Sequence, residues 1–266
     1  MTFRLLIAAG LLAGLPLAQA QAQAQPQSPV YLAGGSQWRP FSYTDDQARL
    51  RGVAVEIAQR VLKQANLDAQ FVSYPVNRLQ AMLDKDQLDF NYAESPNWKA
   101  PAQAARFVFS VPYLNVREHL YFAAGNPAAQ LPAEQLSNLT IGMVRGYTYP
   151  RLDAAFEFKR LQKLETSQDQ ALLELLKIGR VDAVAMVDDL YQSLVASGQI
   201  DASRFRQGAQ LSEAPLTIML QARHAALLPQ INAAITTLQR SGEIERIRQG
   251  YRPAASLACH SHSQAC

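Results

Sequence analysis

Four consecutive residues, Arg145-Gly146-Tyr147-Thr148, have the chemistry of an anion clamp. A glycine turn at a helix start presents free backbone N–H groups, to which the arginine adds charge and the threonine a hydroxyl. Trp38 follows the first expected strand, where an indole can pack on a bound molecule. Phe41 and Tyr43 come just after it, one expected in a pocket wall and the other in the core. Groups of this kind around a zwitterion would hold it with roughly micromolar affinity, about −8 kcal/mol. Covalent chemistry has no comparable basis. The chain contains neither Cys-x-x-Cys nor His-Glu-x-x-His and no coherent nucleophile–base pair, and His119 and His224 fall outside the expected cleft loops. The residues therefore point to capture without a metal, a cofactor or turnover.

The elements that must position these groups form a repeated series. Val30 to Ala33 reads as a strand, and Val53, Ile57, Val61 and Ala65 recur as one buried helix face, which Asn66 can end in a left-handed conformation. Ala69 to Tyr74 is a strand, Leu79, Met82 and Leu83 mark a helix, and Leu88 to Ala93 returns to strand. The order then recurs. Leu139 to Val144 is a strand, Tyr149 to Phe158 a helix and Arg160 to Glu165 a strand. Ser167-Gln168-Asp169-Gln170 reads as a capping box opening a helix closed by Gly179, before a strand over Val181 to Val187. Leu88-Asp89-Phe90 and Val181-Asp182-Ala183 occupy the same place in each series. Two such units imply two parallel sheets flanked by helices, with ligands beyond the carboxyl ends of the strands. Two lobes with those ends facing each other enclose a cleft.

Residues 1–20 carry one positive charge, an apolar centre from Leu5 to Leu17 and the small-x-small ending Ala18-Gln19-Ala20. This is the pattern of a cleaved secretory signal, too short for a membrane span. Residues 21–29 read as a disordered leader and 254–266 as a disordered tail, in which Cys259 and Cys266 have the option of bridging. The formal charge is +3 with dispersed Lys and Arg, which gives no footprint for nucleic acid. Export follows from these features, and the protein is expected to be a monomer.

Five segments carry a resemblance. They are Trp38-Arg39-Pro40-Phe41-Ser42-Tyr43, Gly52-Val53-Ala54-Val55-Glu56-Ile57, Phe107 to Tyr113, Gly142 to Thr148, and Leu238 to Ile247 followed by Tyr251. In this order they resemble the bacterial extracellular solute-binding proteins of family 3, the polar amino-acid type of ABC-transporter receptor. Val53 and Ala54 depart from the bulkier and acidic residues of the family pattern. The resemblance implies an α/β, two-lobed periplasmic binding protein fold of type II, each lobe a sheet flanked by helices. Lobe I would comprise residues 28–121 and 216–253, and lobe II residues 122–215. Two crossover strands, near Leu120 to Ala123 and Pro215 to Met219, would form the hinge. The partners implied are a small-molecule ligand, amino-acid-like or a carboxylate, and an ABC permease in the inner membrane. A sensory protein serving a membrane signalling partner is the alternative, and a periplasmic dehydratase on the same fold a lesser one.

The resemblance also implies site residues. Glu94, an acceptor for an ammonium, and Ser95, a donor to a carboxylate, end the last strand of lobe I. An arginine that grips the ligand carboxylate is missing from the stretch Ser95 to Pro101, leaving Lys99, Arg78 or Arg145 as substitutes. Asp188, or its neighbour Asp189, falls where the family holds the ligand ammonium, one residue out of register; helix capping is the other role open to it.

Overall fold

The computed structural model describes residues 29–147 and 149–251. The expected export signal, most of the leader, Thr148 and the cysteine-bearing tail lie outside the described residues.

The first series folds as β1 (Tyr31–Ser36), α1 (Val53–Gln64), β4 (Ala69–Tyr74), α2 (Val76–Asp84) and β5 (Phe90–Glu94), with a small hairpin of β2 (Tyr43–Thr44) and β3 (Leu50–Arg51) inserted before α1. Short α3 (Pro101–Ala104), β6 (Phe107–Phe109) and the long β7 (Leu114–Ala123) follow. The second series is β8 (Leu139–Val144), α4 (Pro150–Glu157), β9 (Leu161–Thr166), α5 (Gln170–Lys177), β10 (Ala183–Val187) and α6 (Asp188–Ala196). The 17-residue β11 (Phe205–Gln221) returns the chain, and α7 (Leu228–Arg240) and α8 (Glu243–Gly250) close it.

The strands lie in the order β4-β1-β5-β11-β7-β10-β8-β9, with β6 also on β11. Each half has the same plan. β1 runs parallel to β4 and β5, and β8 parallel to β9 and β10. An antiparallel strand then borders each half, β11 beside β5 and β7 beside β10. The expected crossover segments lie inside β7 and β11, which pair with one another from Phe205–Ala123 to Leu216–Leu114 and so join the halves. β7 pairs with β10 from Glu118 onward, and β11 meets β5 from Thr217. This is the two-lobed α/β fold with a two-strand hinge.

The repeat holds down to single hydrogen bonds. The Asp89 carboxylate accepts from the backbone N–H of Leu32 at 2.8 Å, and the Asp182 carboxylate from that of Thr140 at 2.7 Å. Each acid ties the start of its strand to the neighbouring central strand and satisfies a donor that would otherwise be left at the sheet end. The positions legible as equivalent in sequence are thus mechanically equivalent.

Helices cover both faces of each half. Ile57, Ala58 and Val61 of α1 are fully buried and join Ile231 and Ile235 of α7 against Phe90 and Leu220. Leu79 and Leu83 of α2 cover the opposite face with Leu88, Phe107 and Met219. In the second half Leu152 of α4 packs with Leu120 and Ile141, while Leu172, Leu176 and Leu190 pack with Tyr121 and Val184. Each fully buried aliphatic side chain of this kind contributes about 1.5–3 kcal/mol.

Two local expectations are corrected. α5 begins at Gln170 after Asp169, with no side-chain cap bond, so Ser167 does not form the capping box. The Thr166 hydroxyl instead donates to the carbonyl of Gln168 at 2.7 Å, which holds this segment in a turn of its own before the helix starts. Asp188 does not cap α6 either: Val187 is the N-cap and both aspartates lie in the first turn, where their charge favours the helix N-terminus. Asn66 does adopt the left-handed conformation expected after α1, with φ 54°.

Candidate functional site

The carboxyl ends of β1 and β5 and the turn after β8 converge on a cavity of about 260 Å³. Ser36 ends β1 and Glu94 ends β5, while Gly146 and Tyr147 form the turn beyond β8. The site therefore sits where open α/β sheets place ligands.

Gly146 brings the halves together. Its φ is +87°, and a Cβ there would lie 2.4 Å from Asn77 Oδ1 and 3.2 Å from Val76 Cγ1 at the start of α2. Only glycine provides this backbone without strain and allows that approach. Tyr147 next to it packs against apolar clusters of both halves. Burial holds the Tyr147 phenol well above its ordinary range, so the ring acts as a neutral wall with a hydroxyl donor.

Opposite this turn lies a buried ion pair. Lys99 Nζ is 3.1 Å from Glu94 Oε2, with side-chain exposures of 6% and 7%. Lys99 also donates to Gln80 Oε1 at 3.2 Å, and its ammonium lies 5.6 Å from the Phe107 ring centroid. Glu94 accepts from Asn91 Nδ2 at 3.0 Å and from the Ser95 backbone N–H at 3.1 Å. A desolvated pair persists only with such additional partners.

Two tryptophans form the apolar wall. Trp38 is fixed by reciprocal backbone bonds with Ser42 of 2.6 and 2.7 Å, and its ring stands edge-to-face with Trp98 at 5.7 Å between centroids. Trp98 ends the turn begun by Pro96, and its indole N–H is buried without a hydrogen-bond partner among the described residues. A buried donor at a cavity wall is an offer to an incoming acceptor.

The remaining acid is Glu118, on β7. It is buried, and burial raises its carboxyl to about 7, against the lowering effect of hydrogen bonds from Ser212 and Tyr149. The Ser212 hydroxyl donates to Glu118 Oε2, and the Tyr149 hydroxyl to Oε1 at 3.5 Å.

Of the residues expected from sequence, Trp38, Glu94, Lys99, Gly146 and Tyr147 line this cavity together. The other described ones are placed elsewhere, each for a visible reason, and Thr148 lies outside the described residues. Phe41 is in the core, its ring tilted by 31° against that of Trp38 at 4.3 Å between centroids. Ser95 is fully buried and its hydroxyl accepts from Asn97 N–H, which commits it to capping the turn over Pro96–Trp98. Arg78 is exposed and its guanidinium lies over the Tyr74 ring, because the neighbouring Leu79 takes the buried face of α2. Arg145 is exposed, its backbone N–H bound to Thr166 O at 2.8 Å.

Asp188 is not among the cavity-lining residues. Its carboxylate accepts from Tyr121 OH at 2.9 Å and meets His119 Nδ1 at 2.8 Å. Alternation along β7 separates it from the cavity: residues 119 and 121 face α6, whereas Glu118 faces the other way. Asp188 borders a different groove, of about 1010 Å³, between α6 and α8. Sequence reasoning missed Trp98 and Glu118. The first stood inside the segment searched for a charged group, and the second in a strand whose cleft-facing side was not legible.

No helix among the described residues is long and apolar enough to cross a membrane. Nor does any group of three His, Cys, Asp or Glu among them have the arrangement of a metal site.

Comparison with known proteins agrees with this architecture. The L-cystine-binding protein TcyJ of Escherichia coli (strain K12) is 22% identical over 213 residues, 79% of this chain and 77% of that protein. An arginine-binding periplasmic protein of Mannheimia haemolytica is 25% identical over 217 residues, 78% of this chain and 84% of that one. Among solved structures, a histidine kinase sensor domain with similarity to periplasmic binding proteins gives a TM-score of 0.73 at 16% identity, covering 85% of this chain and 97% of its own. The family model for bacterial extracellular solute-binding proteins, family 3, matches residues 31–254. With that match running from β1 to beyond α8, the chain belongs to the bacterial extracellular solute-binding proteins, family 3.

Proposed function

We propose that the protein is an exported periplasmic receptor that closes on one small amino-acid-like solute and delivers it to an ABC permease. Lobe I comprises residues 28–121 and 216–253 and lobe II residues 122–215, with β7 and β11 crossing between them as the hinge. The observation that carries the reading is the cavity between the lobes, where a buried Lys99–Glu94 pair, an indole donor with no partner among the described residues, and tyrosine and tryptophan walls converge. Its volume of about 260 Å³ suits a molecule of amino-acid size rather than a peptide. In this reading Trp38, Glu94, Lys99, Gly146 and Tyr147 are binding residues. The relatives that bind cystine and arginine support an amino-acid ligand.

In this reading the cavity binds its solute, and no histidine supplies it with a base. The histidine–aspartate contacts among the described residues, His119 with Asp188 and His224 with Asp89, lie outside the residues lining the cavity. A general base must reach its substrate, and neither histidine is placed to do so.

A thermal-shift screen of ligand-stripped protein against amino acids, their derivatives and small carboxylates tests the proposal. A receptor with micromolar affinity gains about 2.7 kcal/mol at a hundredfold excess of ligand over Kd, which raises the melting temperature by several degrees. A flat response to the whole set contradicts the reading.

A further inference from the structure

The carboxylates of the cavity wall are Asp84, Glu94 and Glu118. Asp84 is paired with Arg106 at 2.8 Å and Glu94 with Lys99 at 3.1 Å. Among the described residues Glu118 has the neutral hydroxyls of Ser212 and Tyr149 as partners, and no lysine or arginine forms an ion pair with it. It is 5% exposed and faces the cavity from the hinge itself, on β7 opposite Ser212 of β11 and Val187 of β10. A buried carboxyl at a cavity wall without a cation is held neutral by a proton, and a bound cation is what allows it to ionise there.

We propose that Glu118 selects the ligand, which must carry a protonated amine or guanidinium and present it to the hinge. The inference rests on the receptor reading above and names the class of solute that the same cavity takes. It also assigns Glu118 the recognition role that the position of Asp188 suggested in the sequence. Because Glu118 lies where the two crossover strands pair, a cation bound there sits against the hinge and against Tyr147 and Tyr149 together. Occupancy and lobe closure are coupled through one side chain.

The groups around Glu118 define its charge behaviour. They are Ser212 from β11, Tyr149 ahead of α4 with Tyr147 nearby, and Asp188 at the start of α6, whose charge adds to the upward shift; the Lys99–Glu94 pair lies across the cavity. In the empty protein the carboxyl titrates near 7, above the ordinary 4.5. The neutral form is therefore favoured on folding. This contribution is fully present below the ordinary carboxyl range and is lost as pH rises through about 7. A cationic ligand reverses the preference, so binding below that pH must release a proton.

Calorimetry of the ligand-stripped full chain, with two matched sets of probes, tests the inference. One set comprises the proteinogenic L-amino acids, agmatine and putrescine; the other comprises cation-free counterparts, namely 2-hydroxy acids, N-acetyl amino acids, succinate and glutarate. Only the first set is expected to bind, with affinity increasing from pH 5.5 to 8, and Glu118→Gln is expected to weaken it about a hundredfold. Tight binding of a cation-free probe, undiminished affinity in Glu118→Gln, or a pH-independent affinity in the wild type would overturn the inference and leave the receptor reading standing. Failure of both sets would remove the receptor reading itself. The pH series needs no substitution, so it decides the matter even if Glu118→Gln does not fold.

Discussion

Replacing Lys99 with methionine is expected to destabilise the empty protein by about 3–5 kcal/mol and to abolish binding of any amino acid that the screen identifies. The reason is the company that Glu94 keeps. Its carboxylate is 7% exposed, and without the ammonium 3.1 Å away it retains only the N–H groups of Asn91 and Ser95. A buried charge with dipoles but no counter-ion is costly, whereas a pair replaced as a pair is close to neutral. The double substitution Lys99→Met with Glu94→Gln should therefore recover stability to within about 1 kcal/mol of wild type while binding stays lost. Chemical denaturation of the two variants makes the comparison. If the single change costs less than about 1 kcal/mol, the pair is screened by solvent and the cavity is wetter than its geometry indicates.

The second large effect is expected at Tyr147. Truncation to alanine removes an aromatic side chain packed on the clusters of both lobes, at a cost of about 3 kcal/mol, toward the lower end of the range for buried aromatics because the residue is only half-buried. It also opens the cavity wall where the lobes meet. Ligand affinity should fall with stability. Tyr147→Phe separates the two roles, since it keeps the ring and removes the hydroxyl. Denaturation and calorimetry on both variants should show near wild-type stability for the phenylalanine and loss of both quantities for the alanine. A Tyr147→Ala protein that keeps wild-type affinity would mean that the turn after β8 does not seal the site.

The sequence made the frame of the molecule legible because the frame depends on local pattern. Periodic apolar residues located α1 and α2, and the matched aspartates Asp89 and Asp182 turned out to make the same backbone hydrogen bond in each half. Trp38, Glu94 and Gly146 were identified for a similar reason: each lies at or just beyond a strand end, and strand ends converge.

What could not be read depends on direction rather than position. Asp188 stands one residue past β10, as expected, but the side chain is drawn to His119 and Tyr121 on the other face of β7. Glu118 is invisible for the complementary reason. The inward face of β7 is set by its pairing with β10 and β11, partners far away in sequence. Arg78 and Arg145 illustrate the limit of searching by charge: both are near the cleft in the chain, yet both are exposed, and the buried cation is Lys99.

The chain contains two tryptophans, Trp38 and Trp98, and both line the cavity between the lobes. Tryptophan emission, excited selectively so that the ten tyrosines do not contribute, therefore reports on that cavity. Titration of ligand-stripped protein should give a saturable change in emission with the half-point and single-site stoichiometry found by calorimetry, and the bound form should resist quenching by acrylamide. A solute that binds by calorimetry but leaves both emission and quenching unchanged would place its site elsewhere and contradict capture between the lobes.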